Sequence, residues 1–128
     1  MHYREKYHKL KTKLANKVRK KILKRDNYRC QACGFPLDLE VAHITDATLF
    51  VKYYGLEDGL KESFREDNLI TLCKSCHRSY HMVQKGLHVN DEIFYRARKV
   101  YHLFAKKRYE RGYWFIPKHG MKRRIRIY

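Results

Sequence analysis

The sequence predicts a small α+β fold in which a metal-stapled core with a short strand sits between two basic helices. Three observations carry that prediction. Two Cys-x-x-C pairs, Cys30/Cys33 and Cys73/Cys76, are separated by 39 residues. Between them an apolar alternation marks a strand. Outside them apolar residues recur at helical spacing.

The first 29 residues form the N-terminal arm. Leu10, Leu14, Val18 and Ile22 recur every four residues, with Lys and Arg on most other positions. That spacing predicts an amphipathic helix. Asn16 can cap a shorter second helix, so one helix or two is open. A turn at Asp26-Asn27 leads into the first cysteine pair, where Gly34 suits a tight knuckle.

Residues 30–84 form the expected core. Leu37, Leu39 and Val41 alternate with polar residues up to His43, which predicts a strand with one buried face. From Thr45 to Asp67 runs a long stretch whose aromatics, Phe50, Tyr53 and Tyr54, are read as packing. After Cys76 come His77 and His81, four residues apart. On a helix both side chains leave one face, the spacing of two ligands to one metal ion.

Residues 85–128 form the second arm and tail. Asp91 is read as the N-cap of a helix whose apolar face is Ile93, Ala97, Val100, Tyr101 and Phe104. Gly112 is read as its stop. The alternation of Arg124, Ile125, Arg126 and Ile127 favours a strand or an extended arm. The three segments are expected to make one domain.

Charge divides along the same boundaries. The 128 residues carry a net charge of +17, with +10 on residues 1–29, −3 on 30–81 and +10 on 82–128. Two basic arms around a slightly acidic middle suit a polyanionic partner, nucleic acid or an anionic membrane surface. No apolar run approaches the ~20 residues of a membrane span, and the first residues lack a signal-peptide core, so an intracellular, cytoplasmic location is expected. In that setting two Cys-x-x-C pairs read as one tetrahedral zinc site rather than two disulfides. A redox pair needs one such motif in a βαβ context, which is missing here.

Three stretches then resemble a known family: Arg25-Asp26-Asn27-Tyr28-Arg29-Cys30-Gln31-Ala32-Cys33-Gly34, Leu39-Glu40-Val41-Ala42-His43-Ile44, and Asp67-Asn68-Leu69-Ile70-Thr71-Leu72-Cys73-Lys74-Ser75-Cys76-His77. In order and spacing they are similar to the zinc-containing HNH endonucleases, over roughly Val18 to His81. The resemblance implies a ββα-metal fold, a hairpin followed by a helix around one divalent cation (Mg²⁺, Mn²⁺, Ni²⁺ or Zn²⁺). It implies hydrolysis of DNA phosphodiester bonds, by nicking or double-strand cleavage, as in mobile-element, restriction and phage-encoded relatives. His43 would be the general base, with an imidazole near its ordinary ~6.5. His77 would bind the cation, His81 would match a second ligand position, and Asn68 would brace the hairpin loop that orients His43.

One position departs from the family. Many members carry Asp or His directly before the catalytic His, and this chain has Ala42. The cation is then held by His77 and His81 with water and phosphate oxygens, or Asp46 or Glu40 adds a ligand.

Double-stranded DNA needs phosphate contacts beyond such a site. The arms offer three clusters: Lys17, Arg19, Lys20, Lys21, Lys24 and Arg25; Lys106, Lys107, Arg108 and Arg111; and Lys122, Arg123, Arg124 and Arg126. Tyr109, Tyr113 and Trp114 are read as base-stacking or core-covering rings. The competing expectations are a non-catalytic zinc-knuckle protein that binds nucleic acid, and a basic structural protein.

Overall fold

A computed structural model describes residues 3–110. Gly112, Arg111, Lys122, Arg123, Arg124, Arg126, Tyr113, Trp114 and the alternation near the C-terminus lie outside those residues.

The N-terminal arm is one helix, α1 (Tyr3–Arg25), which runs through Asn16 without a break. Leu14, Ala15 and Val18 pack with buried Ile22 against Phe64, Leu69 and Val41. This apolar contact docks the arm on the core. Asn27 and Tyr28 then take positive φ (57° and 53°) and reverse the chain. Asp26 fastens the corner by accepting a hydrogen bond from the Thr71 N–H at 2.9 Å.

The first cysteine pair follows in a knuckle. Gly34 N–H donates to the Cys30 carbonyl at 2.7 Å, and Gly34 has a φ of +83°, which a side chain there would strain. The next strand, β1 (Leu39–His43), starts two residues later than the alternation predicts. Asp38 has a φ of 52° and breaks the extended run, which leaves Leu37 62% exposed instead of on a buried face.

Strand β1 pairs antiparallel with β2 (Leu69–Cys73), with Leu39 opposite Cys73 and His43 opposite Leu69. Alternation sends Val41 toward α1, and Ala42 and Ile44 into a second cluster with Ile70, Leu72, Tyr80, Val100 and Phe104. The two strands are joined by α2 (Ala47–Tyr54), α3 (Leu56–Ser63) and a 3-10 turn, Glu66–Asn68. Phe50 is buried at 1% exposure, as packing requires, while Tyr53 is left at 39%. Gly59 brings α3 hard against α2, since a Cβ there would lie 2.5 Å from Val51 Cα.

Helix α4 (Lys74–Gln84) leaves directly from β2 and packs on α5 (Asp91–Glu110). The cap of α5 is Asn90 and not Asp91: its side-chain oxygen accepts from the Ile93 N–H at 2.9 Å, one residue earlier than expected. Ala97, Val100 and Phe104 are buried as predicted. Tyr101 is 41% exposed and rests its ring on Tyr80. The two strands followed by α4, with four cysteines at their base, make an α+β ββα-metal fold. No helix among the described residues is long and apolar enough to cross a membrane.

Candidate active site and metal centre

The four cysteines converge from three elements. Cys30 and Cys33 come from the knuckle, Cys73 ends β2, and Cys76 sits in the first turn of α4. Their sulfurs all lie within 4.8 Å of one another, and Cys33 and Cys73 Sγ are 3.7 Å apart. Four thiolates ~2.3 Å from a tetrahedral ion have edges of about 3.8 Å, so the cage has the size that such an ion needs. The N–H groups of Cys33 and Cys76 donate to Cys30 and Cys73 Sγ, each at 3.4 Å.

The protonation pattern fits the same use. Hydrogen bonding from Cys76 lowers the Cys30 thiol to about 4. Cys76, donating to that thiolate, is pushed up, and burial pushes Cys73 up. One negative sulfur thus suppresses its neighbours until a cation compensates them. Arg96, within 4.0 Å of Cys76 Sγ, adds positive charge beside the cage.

One helical turn beyond the cage lie His77 and His81. Their Nε2 atoms face each other at 3.0 Å. His77 Nδ1 lies 2.8 Å from the Glu40 carboxylate, and His81 Nδ1 lies 3.1 Å from the Gln84 amide oxygen. With each Nδ1 donating to its oxygen partner, both Nε2 atoms present lone pairs. Two lone pairs at that distance repel unless a proton or a cation lies between them. Two nitrogens ~2.1 Å from an octahedral ion, at right angles, are about 3.0 Å apart. The donor set therefore fits a divalent cation, and the carboxylate–histidine pairing is the usual way to aim an imidazole at a metal.

His43 stands at the end of β1 with its ring edge-on to Phe64 at 4.6 Å between centroids. Its Nε2 is enclosed and makes no hydrogen bond. Burial, then the charge of Lys11, lowers its pKa to about 4, below the ordinary value that the sequence suggests. The imidazole is therefore neutral at cellular pH. His43, His77 and His81 line one cleft of about 550 Å³ together with Lys11, Asp46, Tyr80 and Arg108.

Asn68 lies just behind this cleft, 1% exposed. Its oxygen accepts from Thr45 N–H at 2.9 Å, and its nitrogen donates to the Thr45 and Ser63 carbonyls at 3.0 and 2.9 Å. These bonds close the long connection next to His43. Of the two carboxylates considered for Ala42's missing ligand, Glu40 lies behind His77 rather than beside its Nε2. Asp46 caps α2, accepting from Thr48 N–H. Ala42 itself is 2% exposed within the apolar cluster.

Residues 30–82 match the family model of the HNH endonucleases. The chain carries an HNH domain. The match runs from the knuckle through α4 and leaves α1 and α5 outside it. No curated protein and no solved structure matches the chain.

The cationic clusters outside the HNH match divide by position. Arg25 is spent within the fold: its guanidinium donates to the Glu66 and Leu69 carbonyls at 2.7 and 2.6 Å and pairs with Asp26. Those bonds hold α1 to the 3-10 turn and to the start of β2. Arg19 reaches the Leu39 carbonyl, and Lys21 pairs with Glu66 at 2.9 Å. Lys17, Lys20 and Lys24 are exposed on α1, as is Lys106 on α5, while Lys107 lies 3.6 Å from Glu110. Arg108 donates to the Ile44 carbonyl at 2.6 Å and so stands in the cleft wall.

Sequence reading missed Lys11 and Gln84. Gln84 was findable, three residues from His81 on one helix face. Lys11 had no local signal, because only the docking of α1 brings it to the cleft.

Proposed function

We propose that the protein is a metal-dependent DNA endonuclease that hydrolyses phosphodiester bonds. The observation that carries this reading is the facing Nε2 pair of His77 and His81, each ring fixed from behind, in one cleft with a neutral His43. A protein that only binds nucleic acid has no use for that arrangement. The four cysteines would hold a structural zinc ion, which suits an all-thiolate tetrahedron.

In this mechanism the His43 imidazole receives the proton of the attacking water. A neutral imidazole can accept without first losing a proton. Lys11 and Arg108 bring positive charge to the walls where the phosphate would lie. Asn68 holds the Thr45 backbone and with it the end of β1, so His43 keeps its position when substrate enters. His77 and His81 would hold the divalent cation, which supplies charge stabilisation at the phosphate and the leaving oxygen. Imidazole ligands favour Mn²⁺, Ni²⁺ or Zn²⁺ over Mg²⁺.

A second reading rests on Ala42. Its methyl group is buried in the apolar cluster, so the strand supplies no ligand at that point, as in a binding module built on an HNH fold. Incubating zinc-loaded protein with supercoiled plasmid in each cation, beside EDTA and His43→Ala, separates the two. Nicking by the wild type alone supports the nuclease. Plasmid shifted in a gel but uncut in every cation supports the binding module.

A further inference from the structure

A second hollow lies beside the one that bears the histidines. Arg4, Tyr7 and His8 of α1 face Thr48, Val51 and Lys52 of α2 across a groove of about 490 Å³. The same two helices wall the catalytic cleft one turn further on, through Lys11 and Ala15 on one side and Ala47 and Leu49 on the other. Lys11 joins the two hollows, its ammonium group 5.6 Å from the centre of the Tyr7 ring. Among the described residues no carboxylate lines the groove, and Asp46 is the one carboxylate lining the cleft.

Helix geometry sorts the cations of α1 into two sets. At about 100° per residue, Arg4, His8, Lys11 and Ala15 fall within roughly 60° of one another, whereas Lys17, Lys20 and Lys24 point to roughly the opposite side. These three lysines of the densest basic cluster therefore face away from the cleft. A sparser stripe, with an aromatic ring in it, leads into the cleft.

We infer that the DNA strand presented to His43 lies along this stripe, its phosphates against Arg4, Lys11 and Lys52. The outward lysines, in contrast, supply only a general field that draws DNA to the protein. A DNA backbone is the occupant that fits: the groove is open, no carboxylate lines it among the described residues, Arg4 and Lys52 line it, and it lies beside a site for a phosphodiester. The inference rests on the nuclease reading for the identity of the strand.

The test compares two double variants that remove equal charge from exposed positions: Arg4→Gln/Lys52→Gln in the groove and Lys17→Gln/Lys20→Gln on the outer face. Each is made in a His43→Ala background, checked for metal content and helicity, and titrated onto a fluorescein-labelled duplex by anisotropy at several salt concentrations. Each phosphate contact contributes about 0.9 to the slope of log affinity against log salt, so the groove pair should lose nearly two and bind about 60-fold more weakly at ~0.1 M salt. The outer pair should lose less than about one. Equal losses, or a larger loss for the outer pair, would overturn the inference. With His43 intact, the groove pair should raise KM for nicking and leave kcat nearly unchanged; a fall confined to kcat also overturns it. A parent protein that never nicks defeats the nuclease reading alone, and the binding comparison still decides the groove.

Discussion

The Glu40 carboxylate accepts a hydrogen bond from His77 Nδ1 at 2.8 Å, across the gap between β1 and α4. Glu40 lies two residues before Ala42 and so on the same face of the strand. Where many family members place a direct ligand at the later position, this chain buries a methyl group and keeps a carboxylate one step back. A cation at the histidine pair would then be held by fewer protein atoms, and the aim of each one would matter more. Glu40→Gln should weaken Mn²⁺ or Ni²⁺ binding by about 10–100-fold in calorimetry, with the cysteine-bound metal retained. Unchanged affinity would show that Glu40 does not position His77.

His43 carries a pH signature that follows from its burial. Its folded pKa is lowered to about 4 from an ordinary 6.5, so the unfolded chain binds the proton more readily between those values. Its contribution to stability is complete above pH 6.5 and is lost as pH falls from 6.5 through 4. Carbon-13 labelled imidazole NMR should find His43 titrating near 4, well below the ordinary imidazole value. Lys11→Ala should move that titration upward, because removing a nearby cation favours imidazolium. A titration near 6.5, indifferent to Lys11, would contradict the buried geometry.

Most of the core was legible because its signals are local. The i, i+4 spacing of Leu14, Val18 and Ile22, the two Cys-x-x-C pairs and the i, i+4 histidines each state a periodicity that the fold keeps. What escaped depends on distant chain segments. Leu37 continues the strand alternation, but Asp38 adopts a left-handed conformation and ends it. The basic run from Lys17 to Arg25 reads as one surface, although the fold turns Lys17, Lys20 and Lys24 outward, ties Arg25 to backbone carbonyls and leaves the distant Lys11 at the cleft. Charge can be counted along a sequence; its direction is set only when an apolar face such as Val18 and Ile22 docks.

Asn68 should be intolerant of replacement for reasons separate from chemistry. Asn68→Ala removes three hydrogen bonds and leaves the Thr45 and Ser63 backbone groups buried without partners, a loss of about 2–4 kcal/mol. Urea denaturation measures it directly. A positioning role adds a second effect: at temperatures where the variant is fully folded, kcat should still fall while cation affinity holds. Loss of stability alone would make Asn68 a brace of the fold and not of His43.

The cysteine cage should control the histidine pair without touching it. Cys73 ends β2 and caps α4 by accepting from Cys76 N–H, and His77 follows in the same turn. A metal held between these cysteines and the knuckle would therefore fix where α4 begins, and hence where His77 stands relative to Glu40 and His43. Without that metal, Cys30 keeps a thiolate amid buried thiols, and the apolar cluster containing Cys30, Cys73 and Cys76 has an uncompensated charge at its edge. Cys33→Ser changes the exposed ligand, so it perturbs packing least. It should lower the melting temperature and weaken cation binding at His77 and His81 together, and excess Zn²⁺ should restore both in part. A variant that loses stability yet binds the second cation as tightly as wild type would show that α4 is placed by its packing on α5 instead.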